Sequence, residues 1–78
     1  MPPIAERLSQ TYERAAEVFE KTAATADRIA ERLERSGRTE EARDERREAE
    51  RARRGARRAR SLAGQRHART SPGEQRRP

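Results

Sequence analysis

Six arginines lie close together in residues 51–60, RARRGARRAR, a segment that contains no acidic residue. Residues 1–50 hold ten basic and thirteen acidic residues, so the net charge of +6 arises entirely after residue 50. Guanidinium groups bind phosphate bidentately, and each neutralised phosphate releases a counterion. The segment therefore predicts backbone contacts with RNA or DNA, or contacts with an acidic protein surface, through Arg51, Arg53, Arg54, Arg57, Arg58 and Arg60.

A second explanation of this segment is compositional. Nineteen of the twenty basic residues are Arg, as is typical of proteins from GC-rich genomes, so codon bias can explain the choice of Arg over Lys. It does not explain why no acidic residue occurs between Glu50 and Glu74. The two aromatic side chains, Tyr12 and Phe19, lie on the predicted packing face of a helix, so we do not expect stacking on nucleic-acid bases.

No set of residues suggests catalysis. His67 is the only histidine, the four serines have no histidine-based activating partner on a rigid element, and there is no cysteine. We therefore expect a protein that is not an enzyme and has no cofactor, no metal and no small-molecule substrate. No apolar stretch approaches the roughly 20 residues of a membrane span, and we expect a cytoplasmic protein.

The elements that position the arginines are two predicted helices joined at residues 33–42, LERSGRTEEA. Gly37 supplies a left-handed residue that can end a helix, and Thr39 followed by two glutamates suits an N-cap. The sequence thus predicts an all-α, two-helix antiparallel hairpin, with helices over about residues 4–35 and 39–63 and a turn at 36–38. Residues 64–78 are predicted to form a disordered basic tail, leaving residues 1–63 as the folded unit.

An alternative is that Gly37 only kinks one long helix, which would then pair with a second chain. The sequence leaves both possibilities open.

Each predicted helix carries apolar or small residues at alternating steps of three and four, the spacing of helices that pack lengthwise. Alanine fills six of the seven positions on the second helix, so folding at Gly37 sets large residues opposite small ones, for example Phe19 beside Ala56. The same register sets Ala26 beside Ala49. Gly55 either makes room for the Phe19 ring or is a weak point in the helix. The first face comprises Ala5, Leu8, Tyr12, Ala15, Phe19, Thr22, Ala26, Ile29 and Leu33, and the second comprises Ala42, Glu45, Ala49, Ala52, Ala56, Ala59 and Ala63.

Residues 26–49 resemble a single tetratricopeptide-type hairpin, with Ile29 and Leu33 on the first helix, Gly37 at the turn, and Ala42 and Ala49 on the second helix. The resemblance implies a helix, a turn and a helix; such repeats bind peptides when they are stacked, but no second copy follows at the 34-residue period. Residues 51–60 are similar in composition to arginine-rich helices that bind RNA.

The large apolar side chains are too few for an independent core in a chain of 78 residues. We therefore expect a non-enzymatic interaction module that associates with itself or packs on a helix of another protein. Binding of nucleic acid through the arginine segment is the alternative. The expected association residues are Leu8, Tyr12, Phe19, Ile29 and Leu33.

Overall fold

The computed structural model describes residues 3–69, with side chains described up to residue 65. Helix α1 spans Ile4–Arg35 and helix α2 spans Thr39–Arg69. The two helices pack side by side in antiparallel order, as predicted, in a layer only 11 Å thick. Because there is a single layer, each helix has one side covered by its neighbour and its remaining sides facing outward.

The turn between the helices is closed by the backbone of Gly37, the one residue with positive φ in the described part of the chain, at +78°. The Arg38 N–H donates to the Leu33 carbonyl at 2.8 Å, and the Gly37 N–H donates to the Glu34 carbonyl at 3.0 Å. These two hydrogen bonds form a Schellman motif with Gly37 at the left-handed position. The chain therefore reverses at Gly37, and the alternative of one kinked helix is wrong.

Helix α2 begins at Thr39, as predicted, although Arg38 and not Thr39 is its N-cap, and it ends later than predicted. Its first hydrogen bond runs from the Ala42 N–H to the Arg38 carbonyl, so Arg38 occupies the N-cap position and Thr39 is the first helical residue. At the other end the helix continues to Arg69 instead of ending near residue 63. Gly64 takes a helical conformation, and no proline follows before Pro72, so nothing in residues 64–69 forces an end. The rest of the predicted tail, residues 70–78, lies outside the described residues.

Within the side chains that the structure describes, alanine alone forms the buried core. The six alanines predicted on α2 are all buried, whereas α1 buries Ala16, Ala23, Ala26 and Ala30. Only Ala26 belongs to the face predicted for α1, so the buried face of α1 is rotated by about one position from the predicted one. Large side chains at its centre would hold the helices apart, while alanines on both sides let the backbones approach closely.

The predicted register is nevertheless correct. Ala26 and Ala49 share a buried cluster with Ala23 and Ala52, as the predicted pairing of Ala26 with Ala49 requires. Further from the turn, the Ser9 hydroxyl donates to the Ala63 carbonyl of α2 at 2.9 Å. A side chain as small as serine can reach a backbone carbonyl of the neighbouring helix only where the two helices are close.

The Gly37 turn generates a stability prediction. Neither Gly37 nor Gly64 has any atom within 4 Å of the place where a Cβ would lie, so the two differ in backbone conformation and not in available space. We expect Gly37→Ala to destabilise the hairpin by about 1–2 kcal/mol, because alanine is strained at positive φ. Gly64→Ala, the matched control, should stabilise α2 by up to about 1 kcal/mol. Urea denaturation followed by circular dichroism measures both; a neutral or stabilising Gly37→Ala would contradict the left-handed turn.

Candidate functional site

The two long edges of the helix pair differ in chemistry. Along one edge, acidic residues of α1 meet arginines of α2: Glu34 with Arg46, Asp27 with Arg46 and Arg53, and Glu20 with Arg60. We call these six residues the ion-pair row. They recur every seven residues on both helices, so each pair stands one heptad from the next.

Hydrogen bonds orient the ion-pair row. Arg46 donates to both carboxylate oxygens of Glu34, from Nη2 at 2.8 Å and from Nε at 3.2 Å. Donation by Arg46 lowers the pKa of Glu34, and donation by Arg60 lowers the pKa of Glu20, in each case against a smaller opposing effect of desolvation. The same contacts raise the pKa of the two arginines. The ion-pair row therefore links the two helices while its carboxylates and guanidinium groups are charged.

The predicted arginine cluster divides between the two edges. Arg53 and Arg60 are engaged in the ion-pair row through Asp27 and Glu20. The other four lie elsewhere on α2. Arg51 pairs locally with Glu48, and both Arg54 and Arg57 approach the carboxylate of Glu50, at 3.8 and 3.4 Å. Arg58 forms no ion pair with any residue whose side chain is described. The structure thus does not present the six arginines as one surface.

Four of the arginines share a groove with the Phe19 side chain. We call this groove, lined by Phe19, Arg51, Arg54, Gly55, Arg57 and Arg58, the arginine groove. Its lining contains no acidic residue. Phe19 is 39% exposed, so its ring is available at this surface.

Gly55 explains how the Phe19 ring is seated. A Cβ on Gly55 would lie 2.9 Å from ring atoms Cε1 and Cζ and 3.0 Å from Cδ1. Nearly equal distances to three adjacent ring carbons mean that the ring lies with its face over Gly55; an edge-on ring would place one carbon much closer than its neighbours. Of the two explanations of Gly55 that the sequence left open, the structure supports room for the ring.

The opposite edge of α1 carries an apolar stripe that α2 does not cover. Val18 is 62% exposed and Ile4 68% exposed. Between α1 and α2, a shallow groove contains Val18 and Ile29 together with two threonines. We call it the open groove, and its lining is Val18, Lys21, Thr22, Thr25, Ala26, Ile29, Glu45 and Glu48. A second groove nearer the start of α1 is lined by Ile4, Arg7, Leu8 and Thr11.

The five residues predicted to form an association seam lie at the rim of the alanine core. Leu8, Tyr12, Ile29 and Leu33 are half-buried and Phe19 is more exposed than any of them. Ile29 lines the open groove and Leu8 lines the groove near the start of α1. The structure brings large apolar residues to the rim of the alanine core and none of them into its centre.

The ion-pair row was missed at the sequence level, although a signal for it exists. Acidic residues occupy five successive heptad positions on α1, from Glu6 to Glu34, and arginines occupy Arg46, Arg53 and Arg60 on α2. One row of acids and one row of arginines at the same period predict a charged edge between two antiparallel helices.

Within the part of the chain whose side chains are described, no three His, Asp or Glu residues come together as a metal site. His67 lies beyond those residues. Neither described helix has an apolar segment that could cross a membrane. Comparisons with models of known families, with curated proteins and with solved structures return no match.

The fit of Phe19 over Gly55 predicts a coupling that a double-mutant cycle measures. In a Phe19→Ala background, Gly55→Ala should stabilise the protein by about 1 kcal/mol, the ordinary helix propensity difference. With Phe19 present, the new methyl meets the ring, so the gain should shrink or reverse. Equal effects of Gly55→Ala in the two backgrounds, read from urea denaturation, would show that the ring and the glycine are independent.

The ion-pair row predicts acid sensitivity. The pKa of Glu20 and that of Glu34 are lowered in the folded state, so their stabilising contribution is present above the unfolded pKa of about 4.3 and is lost as the pH falls through the lower folded values. The melting temperature should therefore fall between about pH 5 and pH 3. Over the same pH range the melting temperature should fall less in the double variant Glu20→Gln/Glu34→Gln. The control Glu6→Gln/Glu45→Gln removes the same charge at two positions that form no ion pair within the described side chains and should keep the full fall; equal falls in both variants would refute the role of the row.

Proposed function

We propose that this chain is a non-enzymatic, cytoplasmic helical interaction module that associates with a second copy of itself through the open groove. The observation that carries the proposal is the apolar stripe on α1, on which Val18 is 62% exposed. Residues of this stripe recur at steps of three and four, which is the spacing by which one helix packs along another. They are Ile4, Leu8, Thr11, Ala15, Val18, Thr22, Thr25 and Ile29.

The core gives a thermodynamic reason for association. Among residues 3–65 no large side chain is fully buried, and the buried residues are alanines, each of which removes little apolar area from water. A small domain with so little burial gains stability when it oligomerises. Two hairpins placed face to face would make a four-helix bundle in which the exposed stripe becomes interior.

The charges at the edges of the open groove favour a second copy as the occupant. Lys21 lies on the α1 edge, within a row of basic residues that recurs every seven positions; Glu45 and Glu48 lie on the α2 edge. A two-fold axis parallel to the helices exchanges the two edges, so the part of the basic edge near the turn, which contains Arg28, would lie over Glu45 and Glu48 of the other copy. An isologous interface requires this kind of self-complementarity.

A second candidate function is binding of a nucleic-acid backbone. The observation that favours it is the arginine groove, where four arginines gather without an acidic residue in the lining. Arg53 and Arg60, which the sequence assigned to the same function, are held by Asp27 and Glu20 and are not part of this candidate site.

Self-association is tested by sedimentation equilibrium on the full chain. We expect the wild type to be a dimer and Val18→Glu to weaken dimerisation by on the order of tenfold or more, because a carboxylate would be buried in the interface. Its helicity by circular dichroism should be unchanged, since Val18 is exposed within one hairpin.

Ala24→Glu is the matched control, because Ala24 is also exposed on α1 but lies outside the stripe. It should leave the dimer intact. Arg28→Glu, which places a carboxylate opposite Glu45 and Glu48 of the other copy, should weaken the dimer at low salt and less so at high salt. A wild type that stays monomeric up to millimolar concentration, or equal effects of Val18→Glu and Ala24→Glu, would overturn the proposal.

A further inference from the structure

The arginine groove brings together an aromatic ring and a group of arginines, which the sequence placed on different surfaces. Phe19 lies on the packing face of α1, from which we expected no contact with bases. In the structure its ring rests over Gly55 of α2 and keeps 39% of its surface exposed, within the groove that Arg51, Arg54, Arg57 and Arg58 line. The ring is therefore a flat apolar surface in a groove that arginine side chains line.

We propose that the arginine groove binds single-stranded nucleic acid, with a base stacked on the Phe19 ring and the flanking phosphates held by Arg54 and Arg58. This rests on the proposed backbone-binding role of the arginines and adds to it the single-stranded form. One face of the ring covers Gly55, so the other face is turned away from α2. Aromatic platforms next to basic grooves are the way in which proteins hold single strands without reading their sequence.

A duplex offers no equivalent ligand. The bases of a duplex are stacked on one another, and only their edges are reached, in the grooves. The face of a base therefore cannot lie on the Phe19 ring unless its base pair opens. Phosphates, in contrast, are available in both forms. The ring should therefore contribute to binding of single strands alone, while the arginines contribute to both.

The geometry also favours this ligand over an acidic peptide. Carboxylates would satisfy the arginines but would leave the exposed ring without a flat partner, whereas each nucleotide supplies one anionic phosphate and one planar base. Arg58 is the most available of the four arginines, since it forms no ion pair within the described side chains. Arg54 and Arg57 share one carboxylate, that of Glu50, at 3.8 and 3.4 Å.

The test uses fluorescence anisotropy of a labelled oligothymidylate strand and of a labelled duplex, each measured at several salt concentrations with the full chain. Arg54→Gln/Arg58→Gln should lower the affinity for both and reduce the slope of log affinity against log salt for the single strand by about 1.4, since each phosphate contact contributes about 0.7. Arg43→Gln/Arg47→Gln, the matched control, removes the same charge from α2 outside the groove and should reduce that slope by less.

Phe19→Leu separates stacking from charge. We expect it to weaken binding of the oligothymidylate roughly fivefold or more, with the salt slope unchanged and the duplex affinity unchanged. Circular dichroism confirms that the variant is folded. Should Phe19→Leu affect neither strand form, or both equally, the stacking proposal would be overturned while the arginine contacts could stand. If the groove and control arginine pairs had the same effect, the proposed backbone-binding role of the groove would itself fail.

A measurement on the wild type avoids the risk that a variant does not fold. Phe19 is the only phenylalanine of the chain, so its ring protons give unique NMR signals. Oligothymidylate should move these signals upfield through the ring current of a stacked base, and polyglutamate, an anion without bases, should not. Equal shifts with polyglutamate would identify an acidic peptide as the ligand and refute the nucleic-acid proposal.

Discussion

The close approach of the two helices is the constraint from which the other features of the structure follow. Alanine occupies every buried position in the described part of the chain, and Ala16, Ala30 and Ala49 have no exposed surface at all. Two backbones that approach this closely leave no room for large side chains between them. Leucine, isoleucine, tyrosine and phenylalanine are accordingly found at the rim of the contact, half-buried or exposed.

Close approach also explains Gly55 and the ion-pair row. The Phe19 ring is too large for the centre of the contact and is accommodated by the missing side chain of Gly55. On the other edge, short separation brings the α1 carboxylates within reach of the α2 guanidinium groups. The pairs Glu34 with Arg46 and Glu20 with Arg60 thereby close one edge with charge, while the edge that carries Val18 is left without a covering element.

The two helices, their register and the buried face of α2 could be predicted from the sequence, because alanine at heptad spacing favours close packing of two helices. At Gly37 the sequence allowed a turn or a kink, and the hydrogen bonds of the structure show the turn. The buried face of α1 could not be predicted. Two stripes at the same spacing overlap on that helix, one containing Leu8, Thr22 and Ile29 and the other Ala16, Ala23 and Ala30. The first stripe is the more hydrophobic and is therefore the one predicted to be buried. The second stripe is the one that packs closely against the alanine face of α2. Which stripe is buried depends on the size of the facing side chains of α2, and the residue pattern of α1 alone contains no information about that size.

The arginine segment shows why composition alone was a poor guide to the candidate site. Arg53 and Arg60 lie one heptad apart and continue the row that begins at Arg46, so their charges are balanced across the helix pair. Arg58 is set off from that row by its place on the helix and not by its residue type. The arginines of residues 51–60 therefore divide by their place on α2. Arg53 and Arg60 pair across the hairpin with acidic residues of α1, whereas Arg51, Arg54 and Arg57 pair within α2 and Arg58 forms no ion pair with any residue whose side chain is described.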